Sequence, residues 1–141
     1  MHLCRDQGLG AIAYSPLAEG FLSGKYRRGK SAASVKDAPA NRRAIRPEME
    51  AVFTERNQAL LDGLEAFAAS SRQSVAALAV AWVLHQPGVS AALVGARELA
   101  QLQENLQAAD LEIAEADLAR LNAISTWRDD RTPLAIPTAT R

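Results

Sequence analysis

The chain has 141 residues, 48% of them apolar and 23% charged, enough for one domain of ordinary size. Lys plus Arg (16) equals Asp plus Glu (16), so net charge points to neither a nucleic-acid nor a membrane partner. The single cysteine, Cys4, excludes an intrachain disulfide and a cysteine metal cluster. No apolar run approaches the roughly 20 residues that span a bilayer, and the first residues lack an apolar signal core, so a cytoplasmic chain is expected.

Residues 1–7 read as the end of a helix with Gly8 as its C-cap. Residues 10–14 (Gly-Ala-Ile-Ala-Tyr) are apolar, too short for a helix, and bounded by Gly and by Ser-Pro, which predicts a buried parallel strand. Pro16 lacks an N–H and is expected to hold Ser15 extended, ending the strand. Beyond it the expectation is free backbone N–H groups, the Ser15 hydroxyl, Gly20, Gly24 and Lys25. Such parts can surround a phosphate. Residues 27–46 are polar and aperiodic, with Arg27, Arg28, Lys30, Lys36, Arg42, Arg43 and Arg46. They fit a solvated loop, or a lid over a phosphate-rich ligand.

Residues 54–70 predict a helix burying Leu60, Leu61, Leu64, Phe67 and Ala68. Ser74 should cap the next helix, with Val75, Leu78, Ala79, Trp82 and Val83 as its inward stripe. Gln86-Pro87-Gly88 ends that helix, and His85 in its last turn reads as a capping or exposed residue rather than a catalytic one. Residues 89–94 predict a second strand. Residues 98–108 predict a helix with Leu99, Leu102 and Leu106 inward. Leu111 and Ile113 lie in an extended link, and residues 115–124 form a last helix burying Leu118, Leu121 and Ile124. Residues 126–141 are polar with two prolines and read as a tail that Trp127 or Ile136 could anchor.

Residues 91–97 repeat the design of the first strand and loop: a short apolar run, Gly95, a small residue, and the cation Arg97. Together the two stretches read Y-S-P-L-x-x-G-x-L-x-G-K-Y, a helical region, then V-G-A-R-x-x-x-Q-L-x-E-N. This resembles the C-terminal half of an aldo-keto reductase over roughly residues 8–124. The resemblance implies an α/β fold, the portion of a (β/α)8 TIM barrel that holds strands seven and eight with their helices. Such barrels need about 250 residues, so residues 1–124 are expected to be a C-terminal segment, followed by a polar tail over 125–141. Family members often carry Ser or Thr where this chain has Ala114, so entry to the last helix should be weaker by about 1 kcal/mol.

The resemblance also implies a cofactor, NADP(H), and a small-molecule carbonyl substrate in a full-length parent. Tyr14 can be an ordinary strand aromatic; its family counterpart stacks on the nicotinamide. Ser15, Pro16, Leu17 and Gly20 belong to the matching loop, where Ser15 and the backbone around Leu17 meet the nicotinamide-side phosphate and sugar. Lys25 can be a surface lysine; its counterpart reaches the phosphates. Gly95 and Arg97 match the clamp on the adenosine 2′-phosphate, for which a planar guanidinium is suited. Gln101, Glu104 and Asn105 share one helix face and match residues that hold the adenosine end, with Asn105 on the adenine edge.

The family's proton-transfer set of Tyr, Lys, Asp and His comes from its N-terminal half, and neither Tyr14 nor Tyr26 matches that Tyr. No catalytic residue and no metal-ligand spacing is therefore assigned. The expected function is the NADP(H)-binding part of a carbonyl reductase. The alternatives are a non-catalytic cofactor-binding or regulatory module, as in the channel-associated β-subunits that share the fold, or a truncated product without activity. Two parallel strands cannot close a barrel, so self-association through exposed edges is also expected.

Overall fold

A computed structural model describes residues 2–25 and 54–125. Tyr26, the basic stretch 27–46 and the tail 126–141 lie outside the described residues. The elements run α1 (His2–Asp6), β1 (Ala11–Tyr14), a 3-10 helix (Ala18–Ser23), α2 (Glu55–Ser71), α3 (Val75–Leu84), β2 (Val89–Leu93), α4 (Leu99–Gln107) and α5 (Glu115–Ile124).

Local signals place most of these boundaries. Gly8, at φ 64°, closes α1. The Leu9 N–H donates to the Cys4 carbonyl and the Gly8 N–H to the Arg5 carbonyl, the paired bonds of a left-handed helix stop. Thr54 caps α2 by accepting from the Asn57 N–H, and Ser74 caps α3 by accepting from the Ala77 N–H at 3.0 Å. Ser74→Ala should cost about 1 kcal/mol of stability; a chemical-denaturation midpoint that does not move would show that α3 is held by packing alone. Ala114 precedes α5 without a side-chain cap, as the sequence implies.

β1 and β2 pair in parallel, with Ala11 opposite Val89, Ala13 opposite Ala92 and Tyr14 opposite Leu93, and with a register irregularity between Ala11 and Ile12. The close approach there depends on Gly10, where any Cβ would collide with the Ser90 Oγ. Helices α2 and α3 form the crossover between the strands.

α3 is the centre of the packing. It touches α2, β2, α4 and the 3-10 helix, and residues 76–81 are buried all round. The expected stripe of Val75, Leu78, Ala79, Trp82 and Val83 is thereby corrected. The helix has no charged, amide or hydroxyl side chain between Val75 and Leu84, so no face is marked for solvent, and elements cover it on several sides. Around it lie three apolar clusters. Leu64, Phe67, Ala68, Leu78 and Leu121 join α2, α3 and α5. Phe21 and Leu61 pin the 3-10 helix to α2. Val80, Ala81 and Ala108 join α3 to the end of α4, with Leu17, Ala92 and Val94 against them. Leu118 and Ile124 of α5 are only half-buried, although Ile124 lies close against Gly63 of α2.

Polar contacts reinforce the joints. Trp82 Nε1 donates to Asn122 Oδ1 at 2.8 Å, and the Gln86 amide donates to the same oxygen, tying α3 to α5. His85 serves as a strut. Its Nδ1 stands 2.8 Å from the Ala81 carbonyl, and its Nε2 accepts from the Ile113 N–H at 3.4 Å, which places the ring proton on Nδ1.

Two expectations fail on the exposed side. Leu99, Leu102 and Leu106 face solvent, Leu99 being 70% exposed, and no residue of α4 is fully buried. The inward side of α4 is instead the polar one, through half-buried Gln101, Glu104 and Asn105 and the adjoining buried Ala108. The second failure concerns the sheet: one face, carrying Ala13, Ala92 and Val94, is half-buried, and the other carries exposed Ile12, Tyr14 and Leu93.

Candidate functional site

Because β1 and β2 are parallel and in register at their ends, the loops that follow Tyr14 and Leu93 leave the sheet at the same end, starting about 5 Å apart. One carries Ser15 to Lys25; the other carries Gly95, Ala96 and Arg97 and leads into α4. Every residue singled out from the sequence as a cofactor contact lies in these loops, at the end of β1, or on the first two turns of α4.

Tyr14 is 73% exposed on the open face of the sheet, beside Leu93. Ser15 is not extended as expected: its φ is 51°. A following proline obstructs the right-handed helical region, and the chain turns through the left-handed one instead. The turn is closed by the Ala18 N–H donating to the Ser15 carbonyl at 2.9 Å. Pro16 is buried, and Leu17 packs on the cluster of Val80, Ala81 and Ala108. The side chains of these two residues thus anchor the loop, and what it presents outward is backbone.

The expectation of free N–H groups in this loop is corrected at three positions. Those of Ala18, Gly20 and Leu22 donate to loop carbonyls. Ala18 and Glu19 also take left-handed φ values of 47° and 58°, followed by Gly20 at 94°. Runs of non-glycine residues in this region are costly and concentrate at functional loops. The Lys25 side chain folds back on Gly20: a Cβ there would stand 3.8 Å from both its Cε and its Nζ. A side chain at position 20 would fill the space beside the ammonium.

On the second loop, a Cβ on Gly95 would meet nothing within 4 Å, so the backbone there is open to a ligand. Arg97 is exposed, two residues before α4. Its N–H donates to Gln101 Oε1 at 3.1 Å, so Gln101 fixes the backbone that carries the cation. Glu104 and Asn105 lie on the same half-buried side of the helix. Helix N-termini favour anions, and Glu98 at the N-cap makes no side-chain capping bond. The two loops thus carry two cations, Lys25 and Arg97, one open glycine position at Gly95, and the start of α4.

The sequence reading missed Glu19. Ser15 Oγ donates to Glu19 Oε1 at 3.2 Å, placing a carboxylate inside the turn. Glu19 is the one acidic residue between Ser15 and Lys25, but residue type alone does not place it on Ser15.

Comparison with known proteins gives this arrangement a lineage. Residues 1–126 match the profile of the aldo/keto reductase family. The chain belongs to the aldo/keto reductase family. It is 37% identical over 120 residues to the L-glyceraldehyde 3-phosphate reductase of Escherichia coli O157:H7, covering 84% of this chain and 34% of that one. To the probable aldo-keto reductase 1 of Glycine max it is 30% identical over 120 residues, 84% of this chain and 33% of the other. To a probable voltage-gated potassium channel subunit beta of Arabidopsis thaliana it is 33% identical over 111 residues, 77% of this chain and 32% of the other. The chain spans about a third of the length of these relatives. Aldo/keto reductases are (β/α)8 barrel oxidoreductases that use NAD(P)H on small carbonyl compounds, and the described part of this chain has the parallel β-strands and crossover helices of such a fold. No single helix among the described residues is long and apolar enough to cross a membrane.

Proposed function

We propose that this chain is the NADP(H)-binding C-terminal portion of an aldo/keto reductase barrel, holding strands seven and eight and the loops that follow them. The observation that carries the reading is the shared exit of the two cation-bearing loops from adjacent parallel strands. Barrel enzymes build phosphate sites at this end, from the loops after their last two strands. On this reading the open sheet face with Ile12, Tyr14 and Leu93 is barrel interior, and the leucines of α4 face a neighbouring helix of the closed fold.

When bound, the cofactor supplies hydride to the carbonyl carbon of an aldehyde or ketone. The roles of this chain are binding and orientation. Tyr14 offers its exposed ring as a stacking surface for the nicotinamide. The Ser15 turn and the Lys25 ammonium receive phosphate. Arg97 receives the adenosine 2′-phosphate on a backbone fixed by Gln101, and Asn105 contacts the adenine edge. No residue of this chain is assigned to protonate the developing alkoxide, a task that needs a positioned acid.

The second reading, a non-catalytic cofactor-binding module, is favoured by the likeness to a probable voltage-gated potassium channel subunit beta; fold alone does not decide between them. Calorimetric titration with NADPH, joined to an aldehyde-reduction assay, tests both. Binding without NADPH oxidation is the expected result. Oxidation that depends on Tyr14 would give the chain its own acid, and no binding at millimolar NADPH would remove the cofactor role.

A further inference from the structure

We propose that Glu19 is a built-in competitor for the phosphate loop, its carboxylate holding the Ser15 hydroxyl that a cofactor phosphate would otherwise engage. This rests on the cofactor reading above and makes Glu19 a positioning residue that sets affinity. The turn closed between Ser15 and Ala18 brings residue 19 back over residue 15. There the Ser15 Oγ donates to Glu19 Oε1 at 3.2 Å, and both residues are half-buried. Glu19 reaches this place at φ 58° and ψ 22°, a conformation few non-glycine residues adopt.

One hydroxyl has one proton to donate. A phosphate arriving at Ser15 must therefore displace the carboxylate, and while Glu19 stays close the two anions repel. The Lys25 ammonium, the one cation of the described loop, lies beside the next residue, Gly20. The loop thus holds a weak internal anion in the position a stronger external one would take, and the dinucleotide binds less tightly than its other contacts would permit.

Glu19→Gln tests this in the intact chain, because glutamine keeps an oxygen that can accept from Ser15 and loses only the charge. NADPH titration should show the variant binding on the order of tenfold more tightly than the parent. The gain should shrink as salt rises from about 0.05 to about 0.5 M, since screening weakens the repulsion it removes. A purely structural role for Glu19 gives equal or weaker binding by Glu19→Gln; that result overturns the inference and leaves the cofactor reading standing. No NADPH binding by either protein overturns both.

Discussion

Leu61→Ala should cost about 2–5 kcal/mol of folding stability, the range for emptying a fully enclosed leucine site. Leu61 is completely buried and packs on Phe21, with Ala18, Leu22 and Val75 around the pair. The cavity cannot collapse cheaply, because Phe21 belongs to a 3-10 helix whose path is fixed by bonds from the Gly20 and Leu22 N–H groups to the Leu17 carbonyl. The effect should therefore reach the candidate site. Amide exchange of residues 17–24 should quicken more than that of α5, which meets α2 through a separate cluster. A loss under about 1 kcal/mol, or uniform exchange across both regions, would show that the Phe21–Leu61 contact does not hold the loop.

Arg97→Ala should weaken NADPH binding by roughly 10- to 150-fold while leaving NADH nearly unchanged. A charge-assisted hydrogen bond contributes about 1.5–3 kcal/mol, and about 1.4 kcal/mol is a factor of ten. NADH lacks the 2′-phosphate, so it has nothing to lose at this position. Arg97 is exposed, and its backbone is held by Gln101 rather than by its own side chain, so truncation should not disturb the fold. Titration of both cofactors against both proteins decides the matter. Equal losses would make Arg97 a support for the loop. No loss for either would move the 2′-phosphate role to Lys25 or to the basic stretch at 27–46.

Much of the fold was legible because its boundaries rest on local chemistry. Ser74 accepts from the N–H three residues on, Gly8 supplies a left-handed stop, and Pro87-Gly88 cannot continue a helix; each acts through neighbours in sequence. What was not legible depends on distant packing. The leucines of α4 have the spacing of a buried stripe, yet the side of the helix that meets α3 is the one bearing Gln101, Asn105 and adjoining Ala108. Periodicity marks an apolar face without saying what will cover it. Likewise Ser15 obeys the proline's veto on one backbone region by entering another that no simple preference selects. For the site, two motifs in order located both loops. The Glu19 contact was hidden because it depends on the handedness of three consecutive turn positions rather than on residue type.

The parallel pairing of Ala11 with Val89 also bears on the order of assembly. The strands lie at opposite ends of a long crossover, so joining them closes residues 15–88 into one loop, and that entropy is lost before any ladder bond forms. Helices α2 and α3 are adjacent in sequence and can meet early. The two loops that leave the strand ends belong to the late-forming part of the molecule. A ligand bridging those ends engages only the finished pair, and it should act by slowing unfolding rather than by hastening collapse.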